Sequence, residues 1–439
     1  MYAAKVGKTP ICPAQIALMS TFLSIFSFHF GTDITVILQP ILYGRTMNLV
    51  LNTIGASVDN DMIRSLIPDK REVEIIGTSD MKIAHCMGCN QCWLKTPGIC
   101  AIKDDYECIL KKLVKADNLW LVSNTRFGFL DHKGKRMMDR IMPMLNMTIG
   151  FRDGWMRHEL RYHALNIGLL YKGNAEQTIM EDWCKRTAAN IGGHSLGAIA
   201  LEKTPETTLN SKLSTLNSQL THLVIINGSP RVAKFSNTDK IIHSFAKGLE
   251  ETGITWELHN LSNRKEWDAA REAFLTHERT LIALPLYVEC VPGLMLEFLE
   301  TLPTERKNTG EQSFLLHGGM DEGNEFRLCE RFLKTLPAQL GCSYGGTLIH
   351  GGSFRIRTAK ADIAEKMVAP YVNMGRLFAQ KGNFLTPEVT KFTGPEQYPW
   401  LLRKMVSLLF LKKVNGEFDH FAKDWGCTRP LDDKPYNGL

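Results

Sequence analysis

The sequence has little excess of either charge and no concentrated basic stretch. Its 52 Lys and Arg residues against 46 Asp and Glu residues give a formal net charge of +6, and the basic residues are scattered along 439 positions. A nucleic-acid partner is therefore not expected. None of the 13 histidines falls in an H-E-x-x-H motif, which excludes the common helical zinc-protease site.

Long apolar runs are scarce as well. The run at residues 11–30 follows Lys5 and Lys8, as in a signal peptide or a membrane anchor. However, Gln15, His29 and four hydroxyl residues interrupt it, which makes it too polar for either role. We expect an N-terminal extension over residues 1–32. The cysteines do not form the dense disulfide pattern of a small secreted domain, so we expect a reducing, cytoplasmic location.

Short apolar strands alternate with helical segments in the first half of the chain. Helices are predicted at residues 45–58, 105–116, 133–144 and 175–191. Strands are predicted at Ile34–Leu38, Glu72–Ile76, Asn118–Ser123, Ile167–Tyr171 and Ser195–Leu201. This alternation predicts a parallel sheet covered on both faces, and we assign it to one domain at residues 33–203.

The same plan restarts after residues 204–219, whose Ser, Thr and Asn content is typical of a linker. Five more strands are predicted at His222–Asn227, Thr255–His259, Leu281–Leu284, Phe314–His317 and Thr347–His350. The predicted fold is α/β, with two tandem doubly wound domains of five parallel strands each, the second at residues 220–358. A helical C-terminal extension follows at residues 359–439. Its apolar segment 399–411 is expected to pack on a domain rather than to dock on a partner or a membrane.

The loop at residues 227–238, NGSPRVAKFSNT, lies between a predicted strand and a predicted helix. Gly228 permits close backbone approach, several hydroxyls and Arg231 offer polar contacts, and the helix start favours an anion. The pattern indicates a phosphate site, although a helix cap and a turn would use the same residue types. The loop has neither G-x-G-x-x-G nor G-K-[ST], so it is not a dinucleotide loop or a P-loop.

Two more loops follow strands of the same domain. Pro285–Val288 places a tyrosine after a rigid proline, which suits stacking on a planar ring, or a core tyrosine in a turn. His317–Gly323 is a polar, glycine-rich loop. Because the carboxyl ends of parallel strands meet at one edge, the three loops predict one ligand with a phosphate and a flat head.

These loops resemble those of the flavodoxin-like superfamily, specifically the NAD(P)H-dependent FMN reductases. The match covers most of residues 222–352. By this resemblance, the FMN phosphate would be held by Gly228, Ser229, Arg231, Ser236, Asn237 and Thr238. The flavin ring would be lined by Pro285, Leu286, Tyr287 and Val288.

The first half is similar to the iron–sulfur flavoproteins, which pair FMN with a 4Fe–4S cluster. The similarity rests on the run C-x2-C-x2-C-x7-C, on Lys103–Glu107 and on Asp139 with Arg140. The flavin positions depart from the family pattern. Residues 39–43 replace the phosphate loop, and Asn124–Phe127 replace the ring loop. The first domain's own FMN site is therefore expected to be degenerate.

The tetrad Cys86, Cys89, Cys92 and Cys100 has three open interpretations. Four thiolates ligate either zinc or an iron–sulfur cluster, and the compact C-x2-C-x2-C spacing favours a cluster over zinc. In the third interpretation the thiols hold no metal, and this interpretation includes a redox role for Cys86 or Cys89.

The resemblance implies an FMN oxidoreductase that takes electrons from NAD(P)H and passes them, through a cluster where one is present, to an unidentified acceptor. No side chain is expected to be a covalent catalyst, because the flavin carries the chemistry. An electron-transfer protein without its own turnover and a non-catalytic module are the alternatives. The tandem arrangement either supplies the family's dimer contact within one chain or leaves the chain to form a homodimer.

Overall fold

A computed structural model describes residues 47–68, 72–202, 216, 219–303 and 310–438. The predicted strand Ile34–Leu38 and the substituted loop at residues 39–43 lie outside these ranges, as do the predicted N-terminal extension and most of the predicted linker. The domain boundaries therefore stay predictions.

The first half contains a parallel sheet and a separate hairpin. Its strands are β1 (Met47–Asn52), β2 (Glu72–Gly77), β3 (Asn118–Arg126), β4 (Phe129–Leu130), β5 (Leu145–Arg152), β6 (Trp155–Leu160), β7 (Leu165–Lys172) and β8 (Gly192–Ala200). The five parallel strands have the order β2-β1-β3-β7-β8, and β4 pairs with the end of β3. This is the doubly wound order 2-1-3-4-5. β5 and β6 form an antiparallel ribbon of their own.

The first strand corrects a prediction. Residues 45–58 are predicted as a helix, but Met47–Asn52 form the central strand β1, which pairs in parallel with both β2 and β3. Leu49, Val50 and Leu51 are buried because both faces of a parallel sheet are covered. The spacing of Val50, Ile54 and Val58 imitates a helical period, and this explains the error.

The second half repeats the plan with β9 (His222–Asn227), β10 (Thr255–Asn260), β11 (Arg279–Pro285), β12 (Gly310–His317) and β13 (Cys342–His350). Their order is β10-β9-β11-β12-β13, and every pairing is parallel. All five predicted strands of this half are present. The two five-stranded sheets confirm the predicted fold class.

Helices cover the faces of both sheets. In the first half they are Asn60–Leu66, Gln91–Leu94, Tyr106–Leu113, His132–Asp139 and Gln177–Asn190. In the second half they are Asn237–Glu250, Trp267–Thr276, Gly293–Glu300 and Arg327–Gln339. His132–Asp139 packs against Gly293–Glu300, so the two halves meet helix to helix. One continuous buried cluster contains apolar residues of both halves.

The C-terminal region is helical, as predicted, with helices at Arg355–Thr358, Ala361–Val368, Pro370–Lys381, Pro387–Phe392, Trp400–Leu409 and Leu411–Asp424. It returns from the second half to the first. Pro370–Lys381 packs on Asn237–Glu250. Asn415 exchanges two 2.9 Å hydrogen bonds with the backbone of Ile149.

The apolar segment 399–411 does not pack as expected. The helix Trp400–Leu409 buries no residue, and the side chains of Leu408 and Leu409 are 79% and 63% exposed. Within the described ranges, no helix combines the length and the apolar character needed to cross a membrane.

Candidate functional site

Loops of the two halves enclose one cavity of about 280 Å³. Its wall contains all four tetrad cysteines and eight of the ten residues predicted to hold a flavin: Ser229, Arg231, Asn237, Thr238, Pro285, Leu286, Tyr287 and Val288. The tetrad and the three loops of the second half therefore face the same space.

The tetrad lies in a loop at residues 85–100, which we call the tetrad loop. Gly88 and Asn90 both have positive φ, 58° and 60°, and Asn90 starts the short helix Gln91–Leu94. The four cysteines are half-buried and line one wall of the cavity. The Gly88 N–H donates to Cys86 Sγ at 3.4 Å. Burial raises the pKa of Cys86 to about 12 and that of Cys92 well above its usual value.

These pKa shifts bear on the open interpretations of the tetrad. A thiol with a raised pKa is a poor nucleophile, which argues against a redox role for Cys86. A bound cation favours the thiolate form, so the chemistry of four thiols fits a metal or a cluster, although no three of these sulfurs lie within 4.8 Å of one another.

A buried arginine, Arg140, contacts the tetrad loop and the residue that precedes it. Arg140 donates two 2.8 Å hydrogen bonds to the Asp104 carboxylate and one to the Ala84 carbonyl. Its Nη2 also lies 3.5 Å from Cys100 Sγ. These contacts explain why Lys103–Glu107 and Asp139–Arg140 accompany the tetrad in the sequence. The first segment contains the Asp104 carboxylate, and the second contains the Arg140 guanidinium that binds it.

Two arginines of the second half bind the backbone of the tetrad loop. Arg231 donates to the Gly88 carbonyl and to Asn90 Oδ1. Arg357 donates to the Cys89 carbonyl at 3.1 Å and to Asn90 Oδ1 at 3.2 Å. Arg231 is thus a predicted phosphate ligand that also holds the tetrad loop.

The loop after β11 contains a tight turn, Tyr287–Cys290, which we call the Tyr287 turn. The backbones of Tyr287 and Cys290 exchange hydrogen bonds of 2.9 and 3.0 Å. Val288 and Glu289 have φ of 40° and 67°, which is strained for residues with a Cβ and most of all for a β-branched one.

Side chains of the first half hold this strained turn. Lys135 Nζ donates to the Tyr287 carbonyl at 2.7 Å, and Trp183 Nε1 donates to the Val288 carbonyl at 3.1 Å. Arg186 and Asn190 both donate to the buried Glu289 carboxylate. Each half therefore fixes the functional loop of the other.

The phosphate loop residues divide into two groups. Gly228 does not line the cavity; its N–H donates to the Ala283 carbonyl at 2.8 Å. Ser236 is fully buried and accepts from the Asp239 N–H as the helix cap. In contrast, Arg231 Nε and Asn237 Oδ1 are buried and have no protein partner among the described residues. Two orphaned polar atoms at a helix start fit a polar ligand.

A hydrogen-bond chain orients the hydroxyl of Thr238. Ser353 Oγ donates to the Gly318 carbonyl, so it accepts from His317 Nδ1 at 2.8 Å. His317 Nε2 then accepts from Thr238 Oγ1, also at 2.8 Å. Burial lowers the pKa of His317 to about 3, which keeps the ring neutral. An anion at this loop would meet backbone N–H groups first, because the Thr238 hydrogen points at His317.

One acid of the cavity wall holds a proton at neutral pH. Burial, followed by the neighbouring Glu289 carboxylate, raises the pKa of Glu325 to about 8. Arg186 lies 3.7 Å from Glu325, and this contact opposes the shift. The cavity wall therefore contains one carboxylic acid that stays protonated at neutral pH.

The corresponding loops of the first half lack these features. The loop after β1 leads into Asn60–Leu66, whose cap is the carboxylate of Asp59 and whose first turn holds Asp61. Two carboxylates at a helix start repel an anion. After β3 the chain turns back at Phe127 and pairs as β4. The loop after β1 is not the predicted substitute at residues 39–43, and the degenerate flavin site of the first domain stays a prediction.

Several residues of the site have no local sequence signal. Arg357, Lys135 and Trp183 act across the two halves, and only tertiary packing brings them to the cavity. Arg157–Leu160 belong to β6, and the chain continues from there into Arg161. This arginine is fully buried and donates to the Pro143 and Leu431 carbonyls.

The chain has relatives among curated proteins, while no family model matches it. It is 33% identical over 121 residues to an iron–sulfur flavoprotein of Methanocaldococcus jannaschii, a match that covers 28% of this chain and 58% of the relative. It is 39% identical over 69 residues to an iron–sulfur flavoprotein of Archaeoglobus fulgidus, covering 16% and 33%. The chain thus spans about half the length of the first relative and a third of the second.

Solved structures match part of the chain. An FMN-dependent NADH-azoreductase from Bacillus anthracis aligns at 16% identity and a TM-score of 0.28, covering 36% of this chain and 99% of that one. An NAD(P)H:quinone oxidoreductase from Methanothermobacter marburgensis aligns at 14% identity and a TM-score of 0.31, covering 37% and 100%.

The sequence relatives and the sheet order are consistent with each other. The two curated relatives are iron–sulfur flavoproteins, and both sheets of this chain have the doubly wound order in which ligands bind at the carboxyl edge. The chain is thus similar in sequence to iron–sulfur flavoproteins over part of its length, and it contains the doubly wound sheet order twice.

Proposed function

We propose that the chain is an FMN oxidoreductase that takes a hydride from NAD(P)H and delivers electrons to an acceptor through a 4Fe–4S cluster. FMN would be held by the second half, and the cluster by Cys86, Cys89, Cys92 and Cys100 of the first. The observation that carries the proposal is that the tetrad and the predicted flavin loops line one cavity.

The second half supplies the flavin contacts in this proposal. Ser229, Arg231, Asn237 and Thr238 face the cavity at the start of a 14-residue helix, where the positive helix end favours a phosphate. Gly228 and Ser236 shape the loop from behind. Pro285–Val288 form the wall for the ring. FMN, when bound, supplies the chemistry that accepts a hydride and releases electrons singly.

The first half supplies the tetrad and a rigid support. Lys135, Trp183, Arg186 and Asn190 hold the Tyr287 turn, so the ring wall is preorganised. Glu325 keeps a proton at neutral pH in the cavity wall. It is the residue best placed to deliver a proton when an acceptor is reduced.

Cofactor analysis of anaerobically purified protein tests the proposal. The expected result is one FMN per chain and four iron and four sulfide, with turnover of NAD(P)H when a generic acceptor is added. Cys92→Ser should lose the iron and keep FMN. Cys108→Ser is the matched control, because Cys108 is exposed and outside the tetrad, and it should keep both.

The flavin site has its own variant. Asn237→Asp places a carboxylate at the helix start and should weaken FMN binding by at least about tenfold, or 1.4 kcal/mol, while the iron content stays unchanged. A colourless protein that takes up no FMN would overturn the proposal. Zinc in place of iron would overturn the cluster alone. FMN and iron without NAD(P)H turnover would favour an electron-transfer protein.

A further inference from the structure

A second cluster of metal-ligating side chains lies at the opposite end of the second sheet. One ring nitrogen each of His222 and His277 and one carboxylate oxygen of Glu257 lie within 4.8 Å of one another, all at half-buried positions. The sequence shows no paired spacing for these residues. Because β9 advances about 3.3 Å per residue, its six residues put the cluster about 17 Å from the phosphate loop.

The fold explains how the three residues meet. His222 opens β9 and lies opposite Thr255 of β10, and Val224 lies opposite Glu257. Side chains two residues apart in a strand share a face, so His222, Thr255 and Glu257 project to one side of the sheet. His277 ends the helix Trp267–Thr276 and precedes β11. It completes the cluster, and its ring lies 5.3 Å from that of His222.

Hydrogen bonds fix the tautomers of both histidines. Thr255 Oγ1 donates to the Thr221 carbonyl at 3.1 Å, so it accepts from His222 Nδ1 at 2.8 Å. His277 Nδ1 donates to the Ala273 carbonyl at 3.1 Å. In both rings the proton is therefore on Nδ1, and Nε2 carries the lone pair. Metal-binding histidines use the same device, donating one N–H to an oxygen so that the other nitrogen faces the metal.

We propose that His222, Glu257 and His277 form a zinc site, with water completing a tetrahedral shell. Two imidazoles and one carboxylate are a known zinc ligand set. Three atoms no more than 4.8 Å apart lie at most about 2.8 Å from their common centre, so each moves inward by less than about 1 Å to reach the usual Zn–N distance of about 2.0–2.1 Å. The metal would tie together β9, β10 and the turn before β11.

His259 lies next to Glu257 and competes with the metal for its carboxylate. Its Nε2 lies 3.4 Å from Glu257 Oε1, which leaves Oε2 as the better metal ligand. His259→Gln should therefore retain the zinc, whereas the ligand variants should lose it.

Equilibrium dialysis of the full chain against Zn²⁺, followed by elemental analysis, tests the site. Four thiols without their cluster can also bind zinc, so the readout is a difference between variants. His222→Gln and His277→Gln should each bind one equivalent less than the unchanged chain. His243→Gln is the control, because that histidine lies on another helix and bonds to Asp239. Thr255→Val should keep the stoichiometry and weaken this equivalent by about 10–100-fold.

Cobalt distinguishes the two sites within one sample. Thiolate-bound Co²⁺ has intense sulfur-to-metal charge-transfer absorption, and Co²⁺ bound by nitrogen and oxygen lacks it. His222→Gln should remove only the component without sulfur character and should leave the FMN content unchanged. Equal zinc equivalents in His222→Gln and the unchanged chain would overturn the site, and circular dichroism identifies a variant that has not folded. The outcome is independent of the proposed oxidoreductase activity.

Discussion

Replacing Gly88 by alanine tests whether the tetrad loop and the Tyr287 turn pack against each other. A Cβ on Gly88 would overlap the Tyr287 hydroxyl oxygen and stand 2.9 Å from its Cζ. The backbone φ of 58° adds a second penalty, since a residue with a Cβ in the left-handed region costs about 1–2 kcal/mol. Overpacking a buried contact costs about 1–3 kcal/mol more. Gly88→Ala should therefore lower the free energy of unfolding by about 2–5 kcal/mol.

Two other glycines separate these costs. Gly253 has φ of 79°, and a Cβ added to it would meet no atom within 4 Å, so Gly253→Ala should show the conformational penalty alone, about 1–2 kcal/mol. Gly77 has neither feature, and Gly77→Ala should change stability by less than about 1 kcal/mol. Urea unfolding of the three variants provides the comparison.

A double variant locates the overlap. Tyr287→Phe removes the hydroxyl oxygen, so it should recover at least about 1 kcal/mol in the Gly88→Ala background relative to the sum of the single changes. The proposed overlap is refuted if Gly88→Ala lowers the free energy of unfolding no more than Gly253→Ala does. It is also refuted if the free-energy changes of Gly88→Ala and Tyr287→Phe are additive in the double variant.

Three further predictions concern charge and exposure. Because the pKa of Glu325 is raised to about 8, the free energy of unfolding should fall as pH rises from about 4.5 to about 8. In urea-unfolding series at several pH values, Glu325→Gln should remove this decline. An unchanged dependence of the unfolding free energy on pH in the variant would contradict the buried proton. Arg140→Leu leaves the Asp104 carboxylate without its partner and should cost about 3–5 kcal/mol, with partial recovery in Arg140→Leu/Asp104→Asn. Leu408→Gln with Leu409→Gln should change the free energy of unfolding by no more than about 0.5 kcal/mol per site, so the thermal midpoint should change little. Phe418→Gln, at a side chain only 7% exposed, should lower the thermal midpoint clearly.

The sequence predicts the second half well and the first half less well, for physical reasons. β9, β11 and β12 are buried apolar runs next to turn residues, so both the strands and the loops that follow them can be predicted from the sequence. β1 is shorter than the apolar stretch around it, and Ile54 and Val58 continue a helical spacing beyond the strand. The β5–β6 ribbon has no clear alternation, and its half-buried pattern arises from packing by the helix Leu411–Asp424.

The chemistry of the site is predictable in kind but not in arrangement. The cysteine spacing and the Gly228–Thr238 loop each indicate a cofactor from local sequence. Their shared cavity depends on pairs such as Arg231 with Gly88, which lie 143 positions apart. The cluster of His222, Glu257 and His277, our proposed zinc site, is even less predictable, because its residues come from three elements and have no motif. Register between β9 and β10 creates it.

Joining both halves in one chain has an energetic consequence for the cavity. Two separate subunits would lose translational and rotational freedom on meeting, which costs about 4–15 kcal/mol at the usual standard state. Here the same contact, between His132–Asp139 and Gly293–Glu300, forms within the chain and does not depend on protein concentration. The hydrogen bonds that hold the strained Tyr287 turn therefore form at any protein concentration. Their donors are Lys135, Trp183, Arg186 and Asn190. At a fixed concentration of free cofactor, the cofactor content per chain should accordingly stay constant as the protein is diluted, whereas a cavity built between two copies would release its cofactor as the copies separate.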